Sequence, residues 1–183
     1  MQPMANIALR AARKAADFIL LSFDRPDQLR IEEKTSKDFV SNIDKRAEEI
    51  IVEQIQTTYP THNILAEESG TTQVDKSNEY TWIVDPIDGT LNFIRGIPHF
   101  AVSIGIQKGK HLEHGVIVDP INREEYVASR GYGATLNGKK IRVSSSESLQ
   151  DGLVSAGIAP SNINQRLESY IKNLQEFTRA CQA

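Results

Sequence analysis

At 183 residues the chain is long enough to bury a sizeable core, and a single domain over 1–183 is expected. Charged residues make up 25% and the net charge is −3, so composition supplies no basic face and direct nucleic-acid binding is not expected. The lone cysteine, Cys181, rules out an intrachain disulfide, and no apolar run reaches membrane-spanning length; a soluble, cytoplasmic protein without membrane contact is the expectation.

Ile7, Leu9, Ala12, Ala16, Ile19 and Leu20 recur at helical spacing and predict a first helix to about Phe23. Arg10, Arg13, Lys14 and Asp17 interleave with them, which distinguishes an amphipathic helix from a signal peptide. Asp24-Arg25-Pro26-Asp27 breaks the pattern. A second helix is predicted over Lys45–Tyr59, with Ala47, Ile50, Ile51 and Ile55 as its apolar stripe. Asp44 stands at its start, where an acid caps the helix or complements the dipole. Ile64-Leu65-Ala66 reads as a short strand running into Glu67-Glu68-Ser69-Gly70. Two adjacent acids there are by themselves a solvated loop, and Gly70–Glu79 continues as an exposed one.

Trp82–Phe93, WIVDPIDGTLNF, is the densest stretch. Trp82-Ile83-Val84 predicts a buried strand that ends before Asp85. The chain is then expected to turn through Pro86, with Leu91-Asn92-Phe93 opening a helical turn. Asp85 and Asp88 are three apart, beside Gly89-Thr90. Carboxylates suit a hard cation such as Mg²⁺, and free N–H groups at a helix start suit a phosphate. The two repel unless a metal lies between them, so the pattern points to metal-assisted phosphate chemistry. The plainer alternative is an aspartate-rich turn in which Asp88 or Thr90 only caps.

Beyond the motif, Ala101–Ile106, Leu112–Val118, Glu125–Ser129, Gly131–Leu136 and Lys140–Val143 are predicted strands joined by Gly or Asn-Gly turns. Successive hairpins predict an antiparallel sheet; with two helices ahead of it the fold class is α+β. His111 and His114 fall on opposite faces of a strand, so no histidine metal site is expected. Leu153–Ile158 reads as another strand. Asn162–Gln182 reads as a helix with Ile163, Leu167, Ile171, Leu174 and Phe177 on one face.

The string D-P-I-D-G-T-x-N-F resembles the signature of the inositol monophosphatase family. Two further matches support the resemblance: Lys34 with Asp38-Phe39-Val40-Ser41-Asn42-Ile43-Asp44, and Glu67-Glu68-Ser69, where Ala66 stands in place of the family's glycine. The resemblance implies a layered α/β sandwich of the sugar-phosphatase type, with an N-terminal helix pair on an antiparallel sheet. It implies a Mg²⁺-dependent phosphomonoesterase acting on inositol monophosphate or a similar small polyol phosphate. By the same resemblance Glu67, Asp85, Asp88 and the Ile87 carbonyl are metal ligands, Lys34 is an active-site basic residue, and Gly89 and Thr90 bind phosphate. Asp44 pairs with Thr90, and Thr90, Asp44 and Glu67 position the attacking water. Fructose-1,6-bisphosphatase, histidinol phosphatase and the phosphatase of 3′-phosphoadenosine 5′-phosphate share the core motif.

The family's second signature, W-D-x-x-A-G, has no counterpart: the only tryptophan, Trp82, is not followed by Asp. The expectation is therefore a chain lacking the family's C-terminal layers, metal-binding but catalytically weak. An inactive protein-binding module is the alternative, because bacterial members resembling this chain include an accessory factor of ribosomal RNA transcription. The apolar face of Leu167, Ile171, Leu174 and Phe177 is expected to associate, giving a homo-oligomer such as a dimer.

Overall fold

The computed structural model describes residues 1–25, 27, 29–35, 38–72, 75, 77–157 and 163–181, without the side chains of 32–35, 38–40 and 163–165. The chain divides into two units, Met1–Ile141 and Arg142–Ala183.

The first unit is built on an eight-stranded sheet. Its strands are β3 (Asn63–Ala66), β4 (Gly70–Thr72), β5 (Tyr80–Asp88), β6 (Ala101–Lys108), β7 (His111–Asp119), β8 (Glu124–Ser129), β9 (Gly133–Leu136) and β10 (Lys139–Ile141). Their order across the sheet is β10-β9-β8-β7-β6-β5-β3-β4. Sequential hairpins from β5 to β10 match the predicted meander. Two short strands outside this sheet, β1 (Ile31–Thr35) and β2 (Asp38–Ser41), pair antiparallel and lead into the second helix.

Helix α1 (Pro3–Phe23) buries a face made largely of Ala5, Ala8, Ala12, Ala15 and Ala16, with Leu9 and Ile19. Small side chains let it lie close against helix α2 (Asn42–Thr58) and against β6, β7 and β8. The Arg13 guanidinium adds a fork onto the Glu125 carboxylate of β8 at 2.6 and 2.7 Å. Along the strands every second residue faces this helix layer: Trp82 and Val84, then Val102, Ile104 and Ile106, then Val116 and Val118. Each is buried, and together they form the core. The fold is α+β, as expected.

Within this unit Gly70–Thr72, expected as part of an exposed loop, pairs with β3 as a strand, and two further departures from the sequence reading lie beside the candidate site. The sheet is not wholly antiparallel: β3 pairs parallel with β5, from Asn63 opposite Thr81 to Ala66 opposite Val84. And β5 does not end before Asp85 but runs to Asp88. It continues because the register with β6 slips between Asp85, opposite Ser103, and Asp88, opposite Ala101. Three steps on β5 are matched by two on β6, which is a bulge. Pro86 has no N–H to give a regular ladder, and a bulge is one of the few places a strand accommodates it.

The second unit contains a short 3-10 turn at Leu149–Asp151 and helix α4 (Ile163–Ala180). The strand expected over Leu153–Ile158 is not formed at 153–157, and Ile158 lies outside the described residues. A strand exists only by pairing, and this stretch pairs with no described strand; Leu153 is 95% exposed. On α4 the expected stripe is half-exposed, with Leu167, Ile171, Leu174 and Phe177 at 41–44%; the side chain of Ile163 lies outside the described residues. Among the described residues no helix is long and apolar enough to cross a membrane.

Candidate active site

Side chains alternate along a strand, so residues three apart normally point to opposite faces. The bulge in β5 cancels that, and Asp88 comes near enough to Asp85 to oppose its ionisation. The parallel pairing does the rest. Parallel strands end on the same edge, so Glu67, directly after β3, emerges beside Asp85, and the Glu67 N–H extends the ladder to the Val84 carbonyl at 3.1 Å. Three acids from two separate segments thus share one corner of the sheet.

The corner is electrostatically unfinished. Burial pushes the Asp85 carboxyl up to about 8, the charge of Glu67 and a hydrogen bond shared with it push the same way, Asp88 adds to this, and the Ile87 backbone amide opposes them. Oδ1 of Asp85 is buried without any hydrogen-bond partner. A buried, unpaired carboxylate oxygen facing other acids is costly unless a cation completes it. Oxygen-only donors of this kind fit a hard divalent cation such as Mg²⁺. Glu67 and Asp88 are exposed, and among the described residues no three His, Cys, Asp or Glu side chains already stand in a ligating arrangement. The acids are neighbours.

Asp44 lies at the other edge of the site and is only 1% exposed. One oxygen, Oδ2, accepts the Ser41 N–H at 2.9 Å and the Ser41 hydroxyl, completing a capping box for α2. The other, Oδ1, accepts the Thr90 hydroxyl at 3.0 Å. The capping reading and the expected hydrogen bond to Thr90 are both present, one on each oxygen. Thr90 also lies 2.9 Å from the Ile87 carbonyl. A hydroxyl has one proton, so it donates to one of these at a time and keeps its lone pairs for a third group.

Gly89 joins the acids to Thr90. Its backbone is left-handed, φ +100°, and an added Cβ would stand 3.0 Å from the His99 carbonyl oxygen. Both facts favour glycine. Helix α3 (Thr90–Ile94) starts directly afterwards, and its first-turn N–H groups have no partner within the helix. An open cavity of about 340 Å³ adjoins this start, lined by Asp88, Gly89, Asn92, His99 and Asp119 among others. A larger groove of about 750 Å³ lies over β6–β9 and is mostly apolar, with no converging acids. Backbone placement puts Lys34 in β1; its side chain lies outside the described residues.

One residue was missed. Glu48, 4% exposed, turns both oxygens onto the chain after Glu67: Oε2 accepts the Glu68 N–H at 2.7 Å and Oε1 the Ser69 N–H at 2.9 Å. The available signal was spacing. Asp44 and Glu48 are four apart and share the face of α2 that buries Ala47, Ile51 and Ile55. Acids inside an apolar stripe call for a buried partner.

The sequence model of the inositol monophosphatase family matches residues 1–182. A Nus factor SuhB of Pseudomonas aeruginosa is 47% identical over 174 residues, covering 93% of this chain and 64% of that protein. An extragenic suppressor protein suhB from Bartonella henselae superposes with a TM-score of 0.92 at 32% identity, covering 99% of this chain and 69% of that one. A Thermotoga maritima IMPase does so at 0.82 and 31%, covering 99% and 68%. The chain thus spans about two thirds of the length of these relatives, and 64% of the first.

Proposed function

The chain belongs to the inositol monophosphatase family, and from that premise we propose that it takes part in Mg²⁺-dependent hydrolysis of a small phosphomonoester, inositol monophosphate or a related polyol phosphate. Glu67, Asp85, Asp88 and the Ile87 carbonyl would hold the cation. Bound there, it would neutralise phosphate charge and act as Lewis acid toward the reacting oxygens. The observation that carries the reading is the buried Asp85 Oδ1, partnerless between two further acids.

The chain's own groups then divide the work. With the Ile87 carbonyl engaged, the Thr90 proton goes to Asp44, and the Thr90 oxygen turns its lone pairs outward. That makes it an acceptor for a proton of the attacking water, and Glu67 is the second acceptor. Water adds at phosphorus, its proton passing to these acceptors, the ester P–O bond breaks in line, and the leaving oxygen takes a proton from solvent, so that orthophosphate and the free alcohol leave. Gly89 and Thr90 N–H groups receive phosphate oxygens at the start of α3. Lys34, on the strength of the family motif, is a basic residue of the same site.

The test is phosphate release from inositol 1-phosphate by the 183-residue chain, with and without Mg²⁺, beside Asp85→Asn. Charge stabilisation of this kind is worth several kcal/mol, so the variant loses turnover by on the order of a thousandfold. Equal release with and without Mg²⁺ would sink the reading.

A second reading is favoured by identity: 47% to a protein named a Nus factor against 31% to a named IMPase. In it the chain acts as a Nus factor and hydrolysis is weak or absent. A folded chain with no turnover on any polyol, sugar or nucleotide monophosphate would favour this role. Under either reading we place it in the cytoplasm and propose a homo-oligomer associating through the half-exposed α4 stripe. Light scattering that gives the monomer mass at high concentration would remove that last element.

A further inference from the structure

Glu48 is a charged side chain in the core, and its surroundings say what it is for. Burying a carboxylate costs several kcal/mol unless its oxygens are engaged. Here both are, by the two amides that immediately follow Glu67. On the other side, the Glu67 N–H is tied to Val84. Glu67 therefore stands between two anchors, β5 before it and α2 after it. One helical turn earlier on the same face, Asp44 holds Thr90. Four residues along a helix span about 6 Å of rigid backbone. So α2 fixes, by one ruler, where Thr90 and the Glu67 turn lie relative to each other.

We propose that Glu48 is a positioning residue for the cation site, acting through Glu67; this rests on the metal reading given above. Without the clamp, Glu67 sits on a solvated turn and must be ordered each time it ligates, which weakens binding. The competing role is a clamp that only stabilises the fold. The two differ in what happens when Glu67 no longer ligates.

The probe is Mn²⁺ alone, titrated calorimetrically into the parent chain, Glu48→Gln, Glu67→Gln and the double variant. Gln keeps the shape but presents one acceptor, and its NH₂ faces a backbone N–H. Glu48→Gln should weaken Mn²⁺ binding by about 10- to 100-fold, as loss of groups supporting metal ligands does. In the Glu67→Gln background it should cost nothing further. Unchanged Mn²⁺ affinity in Glu48→Gln, or the same loss in both backgrounds, overturns the proposal and leaves the metal reading standing. No Mn²⁺ binding by the parent chain overturns both. A measurement on the parent alone guards against a variant that does not fold. Coupling is reciprocal, so saturating Mg²⁺ should slow hydrogen exchange at the Glu68 and Ser69 amides by a comparable factor. Exchange rates there that ignore Mg²⁺ overturn the assignment of Glu48.

Discussion

Asp44 and Asp85 are two aspartates at opposite edges of one site, and they are built in opposite ways. Around Asp44 every oxygen is engaged: Ser41 on one, Thr90 on the other. Around Asp85 one oxygen has no partner and the neighbours are acids. The first environment belongs to the fold, since it caps α2 and joins it to the motif. The second is a cost to the fold, one that a cation would offset under the proposed reading. A buried carboxylate that stabilises the protein and one that serves a ligand are told apart by what meets their lone pairs, not by burial alone.

Removing each acid tests this contrast, because the two changes should move stability in opposite directions. Asp44→Ala has the largest expected effect. It takes away a capping box and a buried hydrogen bond and leaves the Ser41 and Thr90 groups unmatched. A loss of about 2–4 kcal/mol is expected in urea unfolding. A loss below about 0.5 kcal/mol would mean that Asp44 is not the structural member of the pair.

Gly89→Ala touches neither acid but shifts Thr90 from Asp44, because a Cβ at φ +100° meets the His99 carbonyl. About 1–3 kcal/mol of stability should go with it. A thermal melt identical to the parent's would show that the link between motif and helix is looser than the geometry indicates.

The last test is a pH dependence, and it sharpens the contrast most. The Asp85 carboxyl, shared with Glu67, holds its proton up to about 8 in the folded chain, against an unfolded value of 3.8. The folded state therefore binds more protons between those values. Its advantage is full below about 3.8 and is lost as pH rises through about 8. Without metal, the melting temperature of the parent should fall across that window more than that of Asp85→Asn, which should be the more stable chain at pH 8. A variant that melts below the parent at pH 8 would mean that Asp85 is as satisfied as Asp44.

Much of this was legible in the residues alone. Helical spacing placed α1, α2 and α4, since a 3.6-residue period is local and every turn repeats it. Asp85, Asp88, Gly89 and Thr90 stood together as a phosphate-and-metal string, and an acid at the start of α2 was visible as a cap. What the tertiary structure decided was which groups meet. The bulge at Pro86 turns Asp88 toward Asp85, where strict alternation would have separated them. The parallel pairing of β3 with β5 delivers Glu67 to the same corner. Glu48 closes onto amides twenty and twenty-one residues away. Leu153–Gly157 is apolar enough for a strand yet forms none, because it pairs with no described strand. Strand pairing, register and the partners of buried charges are contacts across the chain; a periodic pattern records which face a residue takes, but not what it will find there.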